Sequence, residues 1–205
     1  MGWIIVLEVL ALLAVSGLIV REMVSAGAPA DGPAHAPPGR DPDEDRSLPL
    51  PKLARPRLLV EKSLHRLTVY DGGAAVKSYR CAIGGGRGDK VREGDRCTPE
   101  GTFYVCVRNP QSRYVLSLGL SYPNEEDAER GLREGSISQA EHDGIRRAIQ
   151  KRRQPPWDTA LGGEIMIHGC GAGRDWTLGC IALDDEDIRE LYPAIPLGTE
   201  VEIRP

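Results

Sequence analysis

Residues 3–20 are apolar apart from Glu8, and as an α-helix this run would reach roughly 27 Å, close to the hydrocarbon thickness of a bilayer. The pattern predicts a transmembrane anchor or an export signal over residues 1–24. A buried core helix fits poorly, because so uniform a run keeps no face for solvent. Val24-Ser25-Ala26 offers a possible cleavage site, but nothing basic precedes the apolar stretch, which favours an uncleaved anchor. Arg21 on its C-terminal flank leans, by the positive-inside rule, toward a cytoplasmic body. Residues 25–56 lose all apolar periodicity and carry eight prolines with a charged cluster from Arg40 to Arg46, the composition of a disordered tether.

Regular patterning resumes at Arg57 and runs to the end, so residues 57–205 are expected to fold as one domain. Leu58-Leu59-Val60, Arg66 to Tyr70 and Ala75 to Ile83 read as strands, with Asp71-Gly72-Gly73 as the turn between the last two, an antiparallel meander. Further strands are predicted at Thr102–Val107, Tyr114–Leu120, Glu164–His168 and Glu200–Arg204. Helices are fewer. Ser138 and Glu141 have capping-box spacing ahead of a segment ending in Arg146, Arg147, Lys151, Arg152 and Arg153, stopped by Pro155-Pro156. Asp184 to Asp187 open another helix, with Ile188, Leu191 and Tyr192 as its buried stripe. The expected fold is mainly β, with peripheral helices.

Composition agrees and removes some functions. The 24 glycines and 16 prolines suit short strands joined by turns. Lys and Arg number 26 against 30 Asp and Glu, a formal charge of −4, so no global basic field favours nucleic acid. Gly84 to Lys90 is glycine-rich but lacks the Gly-Lys-Ser/Thr ending of a phosphate-binding loop. The five cysteines, Cys81, Cys97, Cys106, Cys170 and Cys180, leave at least one thiol unpaired.

One constellation carries chemistry. His168 ends an alternating strand, on the same side as Met166 and Glu164, and is followed by Gly169. A loop containing Gly171, Gly173 and Gly179 then returns to Cys180 only 12 residues later. A thiol beside an imidazole base is a nucleophile for acyl transfer, and a glycine before it leaves room for backbone N–H groups to hold an oxyanion. Buried packing would explain a lone cysteine, and a hydrogen-bonded structural role a lone histidine. A zinc site from His168, Cys170 and Cys180 lacks a fourth ligand at familiar spacing, and no metal or cofactor is expected.

Taken together, His168-Gly169 and Thr177-Leu178-Gly179-Cys180-Ile181 resemble the signature of the L,D-transpeptidase catalytic domain (YkuD-type). Lys90, Gly94-Asp95 and Thr98-Pro99-Glu100-Gly101-Thr102-Phe103 resemble its upstream element, and Gly198-Thr199-Glu200-Val201 its last strand. The sequence departs from the pattern at Leu178, where many members have His, and at Ala182, where they have Arg or Asn. The His-to-Cys spacing is short, and residues 123–156 are an inserted helical region. The resemblance implies a sandwich-like β fold acting on peptidoglycan stem peptides. Cys180 would be the nucleophile and His168 the general base and acid, with backbone N–H groups near Gly179 and Cys180 for the oxyanion. Thr177 would order the loop or touch His168. It also implies a domain held outside the cytoplasm, in the cell envelope, by the N-terminal helix, or secreted if that segment is cleaved. A carboxypeptidase or hydrolase would use the same acyl-enzyme with water as acceptor; a non-catalytic wall-binding module is the alternative of another class.

Overall fold

The computed structural model describes Asp41, Pro42 and residues 48–205; the apolar run at 3–20 and most of the proline-rich segment lie outside the described residues. Among the described residues no helix is long and apolar enough to cross a membrane. Eight strands form one sheet: β1 (Pro56–Glu61), β2 (Arg66–Asp71), β3 (Ala74–Arg80), β4 (Gly101–Asn109), β5 (Ser117–Leu120), β6 (Met166–His168), β7 (Ile181–Ala182) and β8 (Glu200–Arg204). Within residues 48–205 three α-helices accompany them: α1 (Glu125–Arg133) and α2 (Gln139–Gln150) between β5 and β6, and α3 (Asp185–Ala194) between β7 and β8.

The strand order is β3-β2-β1-β8-β4-β5-β6-β7. The expected meander is present as antiparallel β1–β2 and β2–β3 pairs. Its tight turn is made by Gly72 and Gly73, with φ of 57° and 96°, as a two-residue hairpin requires. The last strand lies between β1 and β4, parallel to the first and antiparallel to the second, so the chain's end sits at the centre of the sheet. β8 alternates strictly: Val201 and Ile203 are buried while Glu200, Glu202 and Arg204 face outward, and Arg57 on β1 reaches Glu202 at 3.1 Å.

Beyond β3 the chain returns to the far edge of the sheet. Ala82 and Ala182 exchange backbone hydrogen bonds, each 2.8 Å, so β7, at one end of the strand order, is joined to the segment leaving β3, at the other. Leu58, Val69, Val105, Leu118, Ile167, Ile181 and Val201, drawn from both halves of this curled sheet, share one core with Ile188 and Leu191 of α3. This is the mainly β, sandwich-like expectation in its realised form.

The helices follow their caps. Asn124 and Asp127 form a capping box at α1, and Ser138 and Glu141 the predicted one at α2. Ala128, Ile137, Ile145 and Leu161 make a second, smaller core under this pair. Two strands begin later than predicted. β5 begins at Ser117, since Val115 adopts a left-handed φ of 74°; β6 begins at Met166, since Glu164 has φ of 54°. Residues 48–55, which composition alone groups with the tether, rest on the domain: Leu50 and Leu53 pack against the core, Leu50 N–H donates to Glu190 at 2.6 Å, and Lys77 Nζ donates to the Leu48 carbonyl.

Ile167 is fully buried at the centre of β6. Ile167→Ala should therefore lower unfolding free energy by about 2–5 kcal/mol, read as a lower urea midpoint with an unchanged slope.

Candidate active site

Short strands fix the geometry. In the parallel β6–β7 pair, Ile167 opposes Ile181 and His168 opposes Ala182. Cys180, one residue before β7, is therefore level with Met166 and on the same face as His168, with Cα atoms about 8 Å apart from two residues along and one strand across. That separation lets two side chains meet.

His168 is 2% exposed. Its Nδ1 lies 2.7 Å from the Gly169 carbonyl, and because a carbonyl can only accept, Nδ1 carries the proton and Nε2 keeps a free lone pair. Gly169 is held in turn: its N–H donates to Tyr114 O at 3.0 Å, and a Cβ there would come within 3.0 Å of Asp185 Oδ1 and of that same carbonyl. The Tyr114 ring stacks on the imidazole with centroids 4.6 Å apart, and Trp176 meets it edge-on at 5.6 Å. Burial lowers the His168 pKa, opposed by the bond to Gly169, so the ring is a neutral base at neutral pH.

Cys180 is half-buried. Its Sγ donates to the Glu164 carbonyl at 3.5 Å. Burial raises the thiol pKa; the Met166 N–H lowers it, the Glu164 carboxylate raises it, and the Lys90 ammonium lowers it, with a net rise. The resting pair is a thiol and a neutral imidazole. Ahead of the cysteine, Thr177 is a staple: Oγ1 donates to Cys180 O at 2.7 Å and accepts from Gly179 N–H at 3.2 Å. Gly179 has φ of 132°, and a Cβ there would lie 2.7 Å from the Cys97 carbonyl; only glycine fits. Thr177 thus orders the loop that leads into Cys180, while the Nδ1 of His168 is held by Gly169.

His168, Cys180, Thr177, Leu178, Tyr114, Arg113, Lys90 and Glu164 border one cavity of about 580 Å³. Tyr114 was absent from the sequence-level site, because a strand reading places it in a ladder; Trp176 gave a signal only by neighbouring the Thr177 motif. Lys90 is buried, its Nζ bonded to Asp95 at 3.0 Å and to Arg92 O at 2.9 Å. Cys170 belongs elsewhere: it is exposed, its N–H donates to Asp185, and it borders a separate hollow with Arg174. All five cysteines are free thiols.

The family model for YkuD, the L,D-transpeptidase catalytic domain, matches residues 55–203. The chain is 30% identical over 121 residues to "Putative L,D-transpeptidase YafK" of Escherichia coli K12, a match covering 57% of this chain and 36% of that protein. It thus spans about a third of the length of the curated relatives it matches. Among solved structures, the helical cell shape determining protein Pgp2 of Campylobacter jejuni superposes with a TM-score of 0.51 at 23% identity, over 73% of this chain and 47% of that one. An L,D-transpeptidase from Xylanimonas cellulosilytica gives a TM-score of 0.46 at 15% identity, over 76% and 64%.

Since the thiol pKa lies above its ordinary value and that of the imidazole below, the Cys180 thiolate should form only in the alkaline range, above that of an ordinary thiol. Alkylation of Cys180 by iodoacetamide, followed by peptide mass spectrometry, should climb steadily through that range without the neutral-pH plateau of a preformed thiolate–imidazolium pair.

Proposed function

Because the chain belongs to the L,D-transpeptidase catalytic domain (YkuD) family, we propose that it performs acyl transfer on peptidoglycan stem peptides through a Cys180 thioester. The observation that carries this reading is the placement of a thiol and a neutral, oriented imidazole on one face of a strand pair, in one cavity. The thiol first turns from the Glu164 carbonyl toward the free lone pair of His168 Nε2. As Sγ attacks the carbonyl carbon of the L-centre at the third stem residue, Nε2 takes the thiol proton. The tetrahedral oxyanion is met by the Cys180 N–H, because the Gly179 N–H is already engaged by Thr177 Oγ1; one such donor contributes about 3–4 kcal/mol in acyl-transfer enzymes. Collapse breaks the peptide C–N bond, His168 protonates the departing amine of the terminal D-residue, and a thioester remains. An incoming amine then gives up its proton to His168, forms the new amide and restores the thiol; water in its place would give the free acid.

Low polarity serves this sequence. The Tyr114 and Trp176 rings exclude water from the imidazole and keep it unprotonated, so it can accept the thiol proton without first losing one. The Gly169 carbonyl holds Nδ1–H throughout and stabilises the imidazolium that forms between the two proton transfers. The reading places the domain in the cell envelope, outside the cytoplasm, tethered to the membrane by the apolar segment at 3–20; membrane fractionation in which the domain resists protease added to spheroplasts would overturn that placement.

Incubation of the full chain with a carbapenem, followed by intact mass measurement, should give a stable one-to-one adduct that Cys180→Ala abolishes. His168→Asn should slow its formation by about 10²-fold or more, the usual worth of a positioned general base. An adduct that survives Cys180→Ala would refute the nucleophile, and muropeptide products separate transfer to an amine from transfer to water.

A further inference from the structure

The cavity carries charges that the acyl-transfer chemistry does not use. Two carboxylates border it: Glu164, whose own carbonyl holds the thiol, and Glu93, packed so closely on Gly162 that a Cβ there would come 2.0 Å from Glu93 Oε2. Two cations border the cavity, Lys90 and Arg113. Lys90 is neutralised by its ion pair with Asp95. The Arg113 guanidinium has no carboxylate partner among the described residues. It lies instead on an aromatic platform, with Cζ 4.8 Å from the Tyr114 ring centroid, and that same ring stacks 4.6 Å from His168. The free positive charge is thus held in a set relation to the base.

The side of the base is also the side of the leaving group. His168 must reach the departing amine within about 3 Å to protonate it, and in an amino acid the α-carboxylate oxygens lie about 3 Å from the amine nitrogen. A terminal residue placed to be released therefore presents its free carboxylate near the imidazole, inside the cavity that Arg113 also borders. The cation that many family members carry two residues after the nucleophile cannot do this here. Ala182 occupies that position, is fully buried, and is tied by both backbone groups to Ala82.

We infer that Arg113 is a specificity-determining residue that binds the terminal α-carboxylate of the acyl donor; the assignment rests on the acyl-transfer reading above. A guanidinium held over a tyrosine ring, with no carboxylate partner among the described residues, has N–H groups to offer for a bidentate, charge-assisted contact with a carboxylate. Donors ending at the residue to be released are selected, and donors whose carboxylate is capped or extended by a further residue lose the contact.

The test compares a synthetic stem tetrapeptide with its C-terminal amide, following release of the terminal residue by the full chain. The native protein should favour the free acid by about tenfold or more in kcat/KM, mainly through KM. Arg113→Gln should bring the two substrates to equal kcat/KM, and Arg113→Lys should keep part of the preference. An unchanged urea midpoint and continued alkylation of Cys180 by iodoacetamide would show that the variants fold with an intact nucleophile. Equal use of both substrates by the native protein, or a preference that survives Arg113→Gln, would overturn the role of Arg113 while leaving acyl transfer in place. Failure of the native protein to process either peptide, with Cys180 still alkylated, would instead overturn the stem-peptide reading and this assignment with it.

Discussion

The pair of backbone hydrogen bonds between Ala82 and Ala182 is the constraint on which the rest depends. β6 and β7 are only three and two residues long, too short to hold a register unaided. β7 is fixed because it is bound on both sides, by β6 on one and by the segment after β3 on the other. A second clasp continues the first: Thr177 N–H donates to Ile83 O and Gly85 N–H to Thr177 O, both at 3.3 Å. Together they lock the approach to Cys180 at both ends. Cys180 is placed by sheet hydrogen bonding rather than by a free loop, which is how so short a His-to-Cys segment can keep the two side chains on one face.

That clasp explains a departure from the family pattern. Position 182 faces a neighbouring strand on each side and is sealed from solvent, so a long polar side chain there would have to be buried without water. Position 178 has the opposite fate: Leu178 is 73% exposed at the cavity mouth. A histidine there would meet solvent as much as substrate, and the leucine instead leaves the mouth apolar. The electrostatics inside follow from the same economy of charge. Burial raises the pKa of the Asp95 carboxyl, but N–H bonds from Arg92, Cys97 and Val91 and the Lys90 ammonium outweigh it and hold the group ionised. Lys90 is therefore fixed as a charge near the thiol without being free to bind substrate.

The parts of the site legible in the sequence are those set by local order. His168 ends a strand, Gly179 precedes Cys180, and Thr177 lies within hydrogen-bond reach of both Gly179 and Cys180 simply by spacing. Tyr114, Trp176 and Arg113 depend on tertiary placement. A strand reading from Tyr114 to Leu120 assumes unbroken extension, whereas Val115 is left-handed and the β4–β5 ladder shifts register between Val105 and Val107. That break turns Tyr114 out of the sheet and onto the imidazole. Glu164 fails as a strand residue for a similar reason, and its left-handed backbone aims the carbonyl at Cys180 instead of at a neighbouring strand. The meander, the capped α2 helix and β8 were legible because turn chemistry, capping and alternation each act within a few residues.

The helical region at 123–156 has more influence on the site than its peripheral position suggests. From α1, Arg130 donates to the Lys90 carbonyl at 2.8 Å and to Asp89 at 3.1 Å, so the helix grips the loop that carries the cavity's buried ammonium. Just beyond this region, Trp157 packs against Gly163, where a Cβ would lie 2.3 Å from its own, and against Gly119. Gly163 is the residue before Glu164, whose carbonyl holds the thiol. The segment between these contacts is tied down as well: Tyr122 Oη donates to Leu161 O at 3.0 Å, and Glu93 N–H to Ala160 O at 2.9 Å. Two walls of the cavity, one bearing Lys90 and the other Glu164, are thus braced by the helical region and its C-terminal flank. Because packed side chains transmit displacement rather than absorb it, a change in α1 would be felt at the thiol through both walls. The helical region is part of the frame that sets the surroundings of Cys180.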